Sequence, residues 1–223
     1  MPAKLSIVIP TLNAQDGLAR SLPRLGEGLT AGLIRDLVIS DGGSTDATLQ
    51  IAEAAGARTL QGAASRGGQL RRGAECAEGA WLFFLHADTL LPPGWADAVA
   101  AHMTTDRPGW CPMRFDHGGF PARCVAGWAN LRARAFALPY GDQALLISRD
   151  EYERVGGFRD QPLMEDVAMV RLLGRRLMPL SFTVTTSAEK YLRDGWLRRG
   201  GRNLGLLTRY LGGADPETLA KKY

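Results

Sequence analysis

Short apolar runs alternate with amphipathic stretches through the first half of the chain. Leu5–Pro10 is apolar and rich in β-branched residues, which predicts a strand, and Ala14–Leu25 follows as a helix. Leu37–Ser40 reads as a second buried strand, ended by Asp41-Gly42-Gly43. Ser44 or Thr45 is then the expected N-cap of a helix over Asp46–Ala55, with Gly56 at its C′ position. Ala57–Leu60 predicts a third strand, Gly67–Ala77 a helix, and Ala80–Leu85 a fourth strand. The last is wholly apolar, the pattern of a central strand covered on both faces. Repeated β-α units with short connections predict an α/β fold: an open, mostly parallel sheet with helices on both faces and ligands collecting at the carboxyl ends of its strands.

The second half is less regular. Its pattern predicts a strand over Trp110–Asp116, a helix over Ala122–Ala137 and a strand over Ala144–Ser148. Val125, Trp128 and Phe136 lie on that helix, and the Trp128–Phe136 stripe reads as core. Leu180, Phe182 and Val184 alternate with polar neighbours, as in a half-buried strand, and Arg193–Leu211 reads as a helix despite Gly195, Gly200, Gly201 and Gly205. With no linker or repeat in view, residues 1–223 are expected to form one domain.

Composition narrows the class. A chain of 223 residues with 45% hydrophobic content builds one sizeable core without disulfide or metal staples. No apolar run approaches the roughly 18 residues of a membrane span, and Met1–Lys4 run directly into a strand pattern rather than a secretory signal. A soluble, cytoplasmic protein is expected. Cys76, Cys111 and Cys124 are odd in number and lack CxxC pairing, so reduced, mostly buried thiols are expected; His86, His102 and His117 have no zinc-ligand spacing. The net charge of +4 is too small to point to nucleic acid. It is concentrated late in the chain, however, at Lys190, Arg193, Arg198, Arg199, Arg202, Arg209, Lys221 and Lys222. That stretch is either a solvated helix face or a contact for an anionic ligand or membrane surface.

Three polar clusters fall where the first, second and fourth strands stop: Pro10-Thr11-Leu12-Asn13, Asp41 to Asp46, and His86-Ala87-Asp88. In an open α/β sheet these loops face one crevice. Asp41 suits either a ribose or base contact or a turn that caps the next helix. Asp88 suits a divalent cation bound to diphosphate, which needs only one or two carboxylates, or a cap before Pro92-Pro93. Glu165-Asp166 opens an amphipathic stretch, as a general base or as first-turn charges favoured by the helix dipole. There is no GxGxxG after any strand and no GxxxxGK[ST].

The order Ser6–Asn13 (SIVIPTLN), Asp41–Asp46 (DGGSTD), Phe84–Thr89 (FLHADT), Gly156–Phe158 (GGF) and Met164–Leu173 (MEDVAMVRLL) resembles family 2 glycosyltransferases across most of the chain. The HADT form and the Tyr140–Ala144 loop (YGDQA) are most similar to a short, non-processive bacterial branch. The resemblance implies the nucleotide-sugar-binding GT-A fold, with residues 1–90 as the nucleotide-binding half and 91–223 as the acceptor half carrying a basic C-terminal helix. It implies that Pro10, Thr11, Asn13 and Asp41 line the nucleotide pocket, that Arg66 and His86 approach the donor, and that Asp142 and Gln143 meet substrate. Trp110–Phe120 would also face the acceptor. Asp88 would hold Mg²⁺ or Mn²⁺, and Asp166, with Glu165 beside it, would be the base of an inverting transfer from a UDP-sugar, favoured over a GDP-sugar. Lys190, Arg193, Arg198 or Arg199 would bind phosphate of the leaving group or of a lipid-phosphate acceptor. The chain departs from the family in having His86 where the first acid of a DxD motif stands, Arg71 where many members have Asn, and Glu189-Lys190-Tyr191 in place of a processive motif. Rival readings are a nucleotidyltransferase, a non-catalytic nucleotide-sugar-binding protein and a peripheral membrane adaptor.

Overall fold

The computed structural model describes residues 3–221. Its elements in chain order are β1 (Leu5–Thr11), α1 (Gln15–Ser21), α2 (Gly26–Thr30), β2 (Ile34–Asp41), α3 (Thr48–Ala54), β3 (Arg58–Gln61), α4 (Arg66–Cys76), β4 (Trp81–Phe84) and α5 (Trp95–Met103). There follow β5 (Gly109–Trp110), β6 (Met113–Phe115), α6 (Phe120–Phe136), β7 (Leu145–Ser148), α7 (Arg149–Arg154), α8 (Glu165–Leu173), β8 (Met178–Pro179), β9 (Val184–Thr186), α9 (Glu189–Asp194), α10 (Trp196–Leu211) and α11 (Pro216–Ala220). Lys222 lies outside the described residues. Among those described, no helix is long and apolar enough to cross a membrane.

A seven-stranded sheet in the order β3-β2-β1-β4-β7-β5-β8 organises the described residues, and β6 and β9 form a separate pair. β3, β2, β1 and β4 run parallel, while β7 is antiparallel to β4 and β5. The expected mostly parallel α/β sheet is therefore present. Side-chain alternation feeds two cores: Leu5, Ile7 and Ile9 of β1 join Trp81 and Phe83 of β4 on one face, and Val8 joins Leu82 and Phe84 on the other. α1, α3 and α5 cover the first face; α4, α7 and α8 cover the second. The strand order reverses between β1 and β4, so a crevice opens beyond their carboxyl ends. Because Phe84 pairs antiparallel with Leu145, the residues before β7 lie beside those after β4.

Several expected elements are divided. The first helix stops at Ser21 and tightens to a 3₁₀ turn over Leu22–Leu25, where Pro23 has no N–H to donate. Trp110–Asp116 is two strands in two sheets, split at Cys111-Pro112. Alternation from Leu180 to Thr185 is not one strand either, because Leu180–Thr183 cross from β8 in the large sheet to β9 in the small one. The last long helix breaks at Gly195, whose φ of +83° suits glycine. α3 starts at Thr48, whose N–H bonds to the Asp46 carboxylate, because Ser44 is engaged by Asp41 and Asn13. α6 buries the small side chains of Ala122, Ala126, Ala129 and Ala133, leaving Trp128 and Phe136 46% and 63% exposed, not core as expected. Cys124 is exposed on the same helix.

Candidate active site

Beyond the carboxyl end of β4 lies a cleft of about 510 Å³. His86 and Asp88 reach it from the loop after β4, Arg66 from the first residue of α4, Asp142 from the turn before β7, Asp166 from the first turn of α8, and Lys190 from α9. Apart from the neighbours His86 and Asp88 these residues are distant in sequence; the antiparallel β4–β7 pair and the start of α8 bring them together. Gly141 N–H donates to Asp166 Oδ2 at 2.7 Å, which fixes the carboxylate at the cleft wall. A Cβ on Gly141 would stand 2.5 Å from His86 Nε2, so only glycine allows this approach.

The electrostatics are uneven. Burial and the nearby cations of Arg66 and Lys190 push the His86 imidazole well below its usual range, so it is neutral near pH 7. Burial lifts Asp142 to about 6, opposed by Arg132 and reinforced by the carboxylates of Asp166 and Asp88. Glu165 is 1% exposed, with Arg66 Nε 4.0 Å away; burial and the Asp166 charge raise it to about 8. Glu165 thus holds its proton at neutral pH and lies beneath the cleft rather than in its wall. Partial desolvation and Arg66 lower Lys190.

Asp88 and Asp142 bear on whether the site suits a divalent cation. Asp142 Oδ1 is buried and has no hydrogen-bond partner among the described residues, and the two carboxylates feel each other's charge. No group of three His, Cys, Asp or Glu side chains assembled for a metal occurs among the described residues. One or two carboxylates suffice for Mg²⁺ or Mn²⁺ when phosphate oxygens and water complete the shell. The residues present fit a metal that arrives with a diphosphate.

Other expected site residues form the frame around the cleft. Asp41 is fully buried, and its carboxylate accepts from Thr11 Oγ1 (2.8 Å), Ser44 Oγ, Gly43 N (2.8 Å) and Ser44 N (2.7 Å). Through these four bonds Asp41 ties the loop between β2 and α3 to the end of β1. Pro10, Thr11 and Asn13 lie in the same loop cluster, outside the cleft lining. Asn13 Oδ1 accepts from Thr45 N (2.9 Å), and Gln69 Nε2 ties the ends of β1 and β2 through Thr11 O (2.7 Å) and Ser40 O (3.0 Å). Gln143 is also fully buried. It bonds to Asn130 and Arg132 of α6, and Arg132 stacks 3.3 Å over the Tyr140 ring. Arg193, Arg199 and Arg202 converge on Asp194 at 2.8, 2.7 and 2.9 Å. Three residues of the basic C-terminal stretch are therefore tied into one ion-pair network, in which Arg199 is buried while Arg193 stays exposed. Arg198 and Arg209 remain exposed.

The sequence profile of glycosyl transferase family 2 matches residues 6–159, which span β1 to the approach to α8. The chain belongs to glycosyl transferase family 2. No curated protein matches this family 2 chain by sequence. Among solved structures it is similar to S. aureus TarS 1-349 in complex with UDP, with a TM-score of 0.64 and 16% identity over 82% of this chain and 60% of that one. TarS 1-349 in complex with UDP-GlcNAc gives the same TM-score and identity, over 82% of this chain and 58% of that one. Glucosyl-3-phosphoglycerate synthase from Mycobacterium tuberculosis, in complex with Mn²⁺, UDP and glucosyl-3-phosphoglycerate, gives a TM-score of 0.58 and 19% identity over 82% of this chain and 71% of that one. The chain thus spans less than two thirds of the TarS chain. At these identities the likeness establishes the fold, which is the expected GT-A type.

The cleft of this family 2 chain also has a part that sequence reasoning missed. α6 and α10 contribute Val125, Trp128, Trp196 and Leu197 to its wall. Its one sequence signal is Gly200-Gly201 inside an otherwise helical stretch.

Proposed function

We propose that the protein transfers a glycosyl group from a UDP-sugar to an acceptor hydroxyl, inverting the anomeric configuration in one displacement. The observation that carries this reading is the single cleft in which Asp166, held by Gly141 N–H at 2.7 Å, shares walls with Asp88, Arg66 and Lys190. A base and a set of diphosphate-compensating charges are thereby held around one space. Residues 1–90 would serve the donor and 91–223 the acceptor, except that Asp142 and Lys190 of the second half reach across to the donor diphosphate.

In this reading Arg66 and Lys190 attract the diphosphate and offset its charge as the bond to the anomeric carbon breaks. That bond's electron pair leaves with UDP. The acceptor oxygen forms the new bond from the opposite side, and Asp166 takes its proton. Asp88 and Asp142 would hold Mg²⁺ or Mn²⁺, which when bound supplies Lewis-acid compensation for the leaving diphosphate. Neutral His86 contacts the donor without adding positive charge. Glu165, protonated and buried, positions Arg66 and the start of α8.

Slow hydrolysis of a UDP-sugar tests inversion without knowledge of the acceptor. With UDP-α-GlcNAc or UDP-α-glucose and Mn²⁺, proton NMR is expected to record the β-anomer of the free sugar first, before mutarotation. First appearance of the α-anomer would overturn the single-displacement mechanism.

A further inference from the structure

The cleft has two chemical ends. One carries the carboxylates and cations described above. The other, between α6, β6 and α10, is walled by Met113, Phe115, Val125, Trp128, Leu197 and Leu204. Phe115 packs edge-on against Trp196 at 5.1 Å, closing one side with aromatic surface. The rim is apolar as well: Leu197 is 92% exposed, and Trp128 and Leu204 are each nearly half exposed.

α10 keeps this space open at a cost. Gly200 and Gly201 line the cleft, and no heavy atom stands within 4 Å of where a Cβ would be on either. A helix-interior glycine is less favourable than alanine, and neither residue has a close-packing reason to be glycine. The six wall residues named offer almost no hydrogen bonds. A body rich in hydroxyls placed there would lose its bonds to water without replacing them, whereas hydrocarbon would gain from burial.

We infer that this apolar arm of the cleft holds the hydrocarbon chain of the acceptor, so that the acceptor is a long-chain amphiphilic alcohol whose hydroxyl reaches Asp166. The inference rests on the glycosyl-transfer reading for the role of Asp166 but not for the groove itself. The chain enters over Leu197, either from a lipid bilayer or from a soluble amphiphile.

Alkyl-β-maltosides from hexyl to decyl, kept below their micellar concentrations, are the probes, with Trp128 and Trp196 fluorescence as the readout. Affinity is expected to rise about fourfold per added methylene while the chain still finds apolar wall, at about 0.8 kcal/mol for each one buried. Maltose alone is expected to give no response. Gly200→Leu and Gly201→Leu, which favour the helix and are checked by circular dichroism, are expected to abolish the chain-length dependence. Trp128→Ala, on the opposite wall, is expected to weaken it, read through Trp196. Affinity independent of chain length, or unaltered in the leucine variants, would overturn the inference. Calorimetric titration of the same samples with UDP separates the two ideas: absent UDP binding refutes the donor reading and leaves the groove result standing. Flotation with phosphatidylcholine–phosphatidylglycerol vesicles assigns the chain's source. Co-flotation of the wild type supports a bilayer lipid, and chain-dependent binding without flotation supports a soluble amphiphile.

Discussion

Asp166→Asn is expected to lower glycosyl transfer by about 10²–10⁴-fold while leaving UDP affinity within about twofold of wild type. The asparagine keeps the size of the side chain and an oxygen that can accept the Gly141 N–H bond of 2.7 Å, so the turn before β7 stays in place. What it lacks is the capacity to take the acceptor proton. A base acts as the new bond forms, so the loss falls on kcat rather than on donor binding. Glu165→Gln is the paired control. Glu165 is already protonated near neutrality, being raised to about 8 by burial and Asp166, so its amide analogue is expected to cost less than tenfold. Steady-state UDP release for both variants checks the pair. Equal turnover of Asp166→Asn and wild type would remove the base assignment, and a larger loss from Glu165→Gln would transfer it to the buried acid.

Asp41→Ala is expected to unfold the protein more easily by about 3 kcal/mol, because it strands one buried and three part-buried donors that the carboxylate now satisfies. The donors are Gly43 N, Ser44 N and the hydroxyls of Thr11 and Ser44. For a chain of this size that corresponds to a melting point lower by roughly 6–12 °C. Burial raises the Asp41 pKa, but the bonds from Ser44, Thr11 and Gly43 outweigh it and the net shift is downward from 3.8. A carboxylate with a lowered folded pKa contributes stability above its unfolded value and loses it as pH falls through the folded value. The difference in melting point between wild type and variant is therefore expected to be full at pH 6–7 and to shrink below about pH 4. A constant difference down to pH 2–3 would contradict the assignment. UDP binding by folded Asp41→Ala then reports how far the loop, rather than a direct contact, governs the nucleotide.

β1, β4 and the end of β2 were legible because their apolar runs are buried on both faces, while β3, half exposed at the sheet edge, was legible from the turn residues that bound it. Gly56 sits where expected, after α3, with φ of +72°. The region from Trp110 to Thr186 was harder. Strand-like alternation continues through Cys111-Pro112 and through Leu180–Thr183 although the chain changes sheets at both places, and periodicity contains no record of which sheet a residue joins. α5 went unseen after Pro92-Pro93, although Trp95, Ala96, Val99 and His102 are its buried face. The site shows the same division. Asp88, His86, Asp142, Arg66 and Asp166 were legible as motif residues and meet in one cleft. Asp41 and Gln143 are fully buried and lie outside the cleft lining, bonded within the protein. Burial depends on Gln69, Asn130 and Arg132, distant partners that no local motif reveals.

Titration of the protein with UDP and with GDP by calorimetry, each with and without Mn²⁺, addresses the donor claim most directly. UDP is expected to bind, more tightly with Mn²⁺ than without, and more tightly than GDP. Failure of UDP to bind under either condition would contradict a UDP-sugar donor and leave the cleft without its proposed substrate.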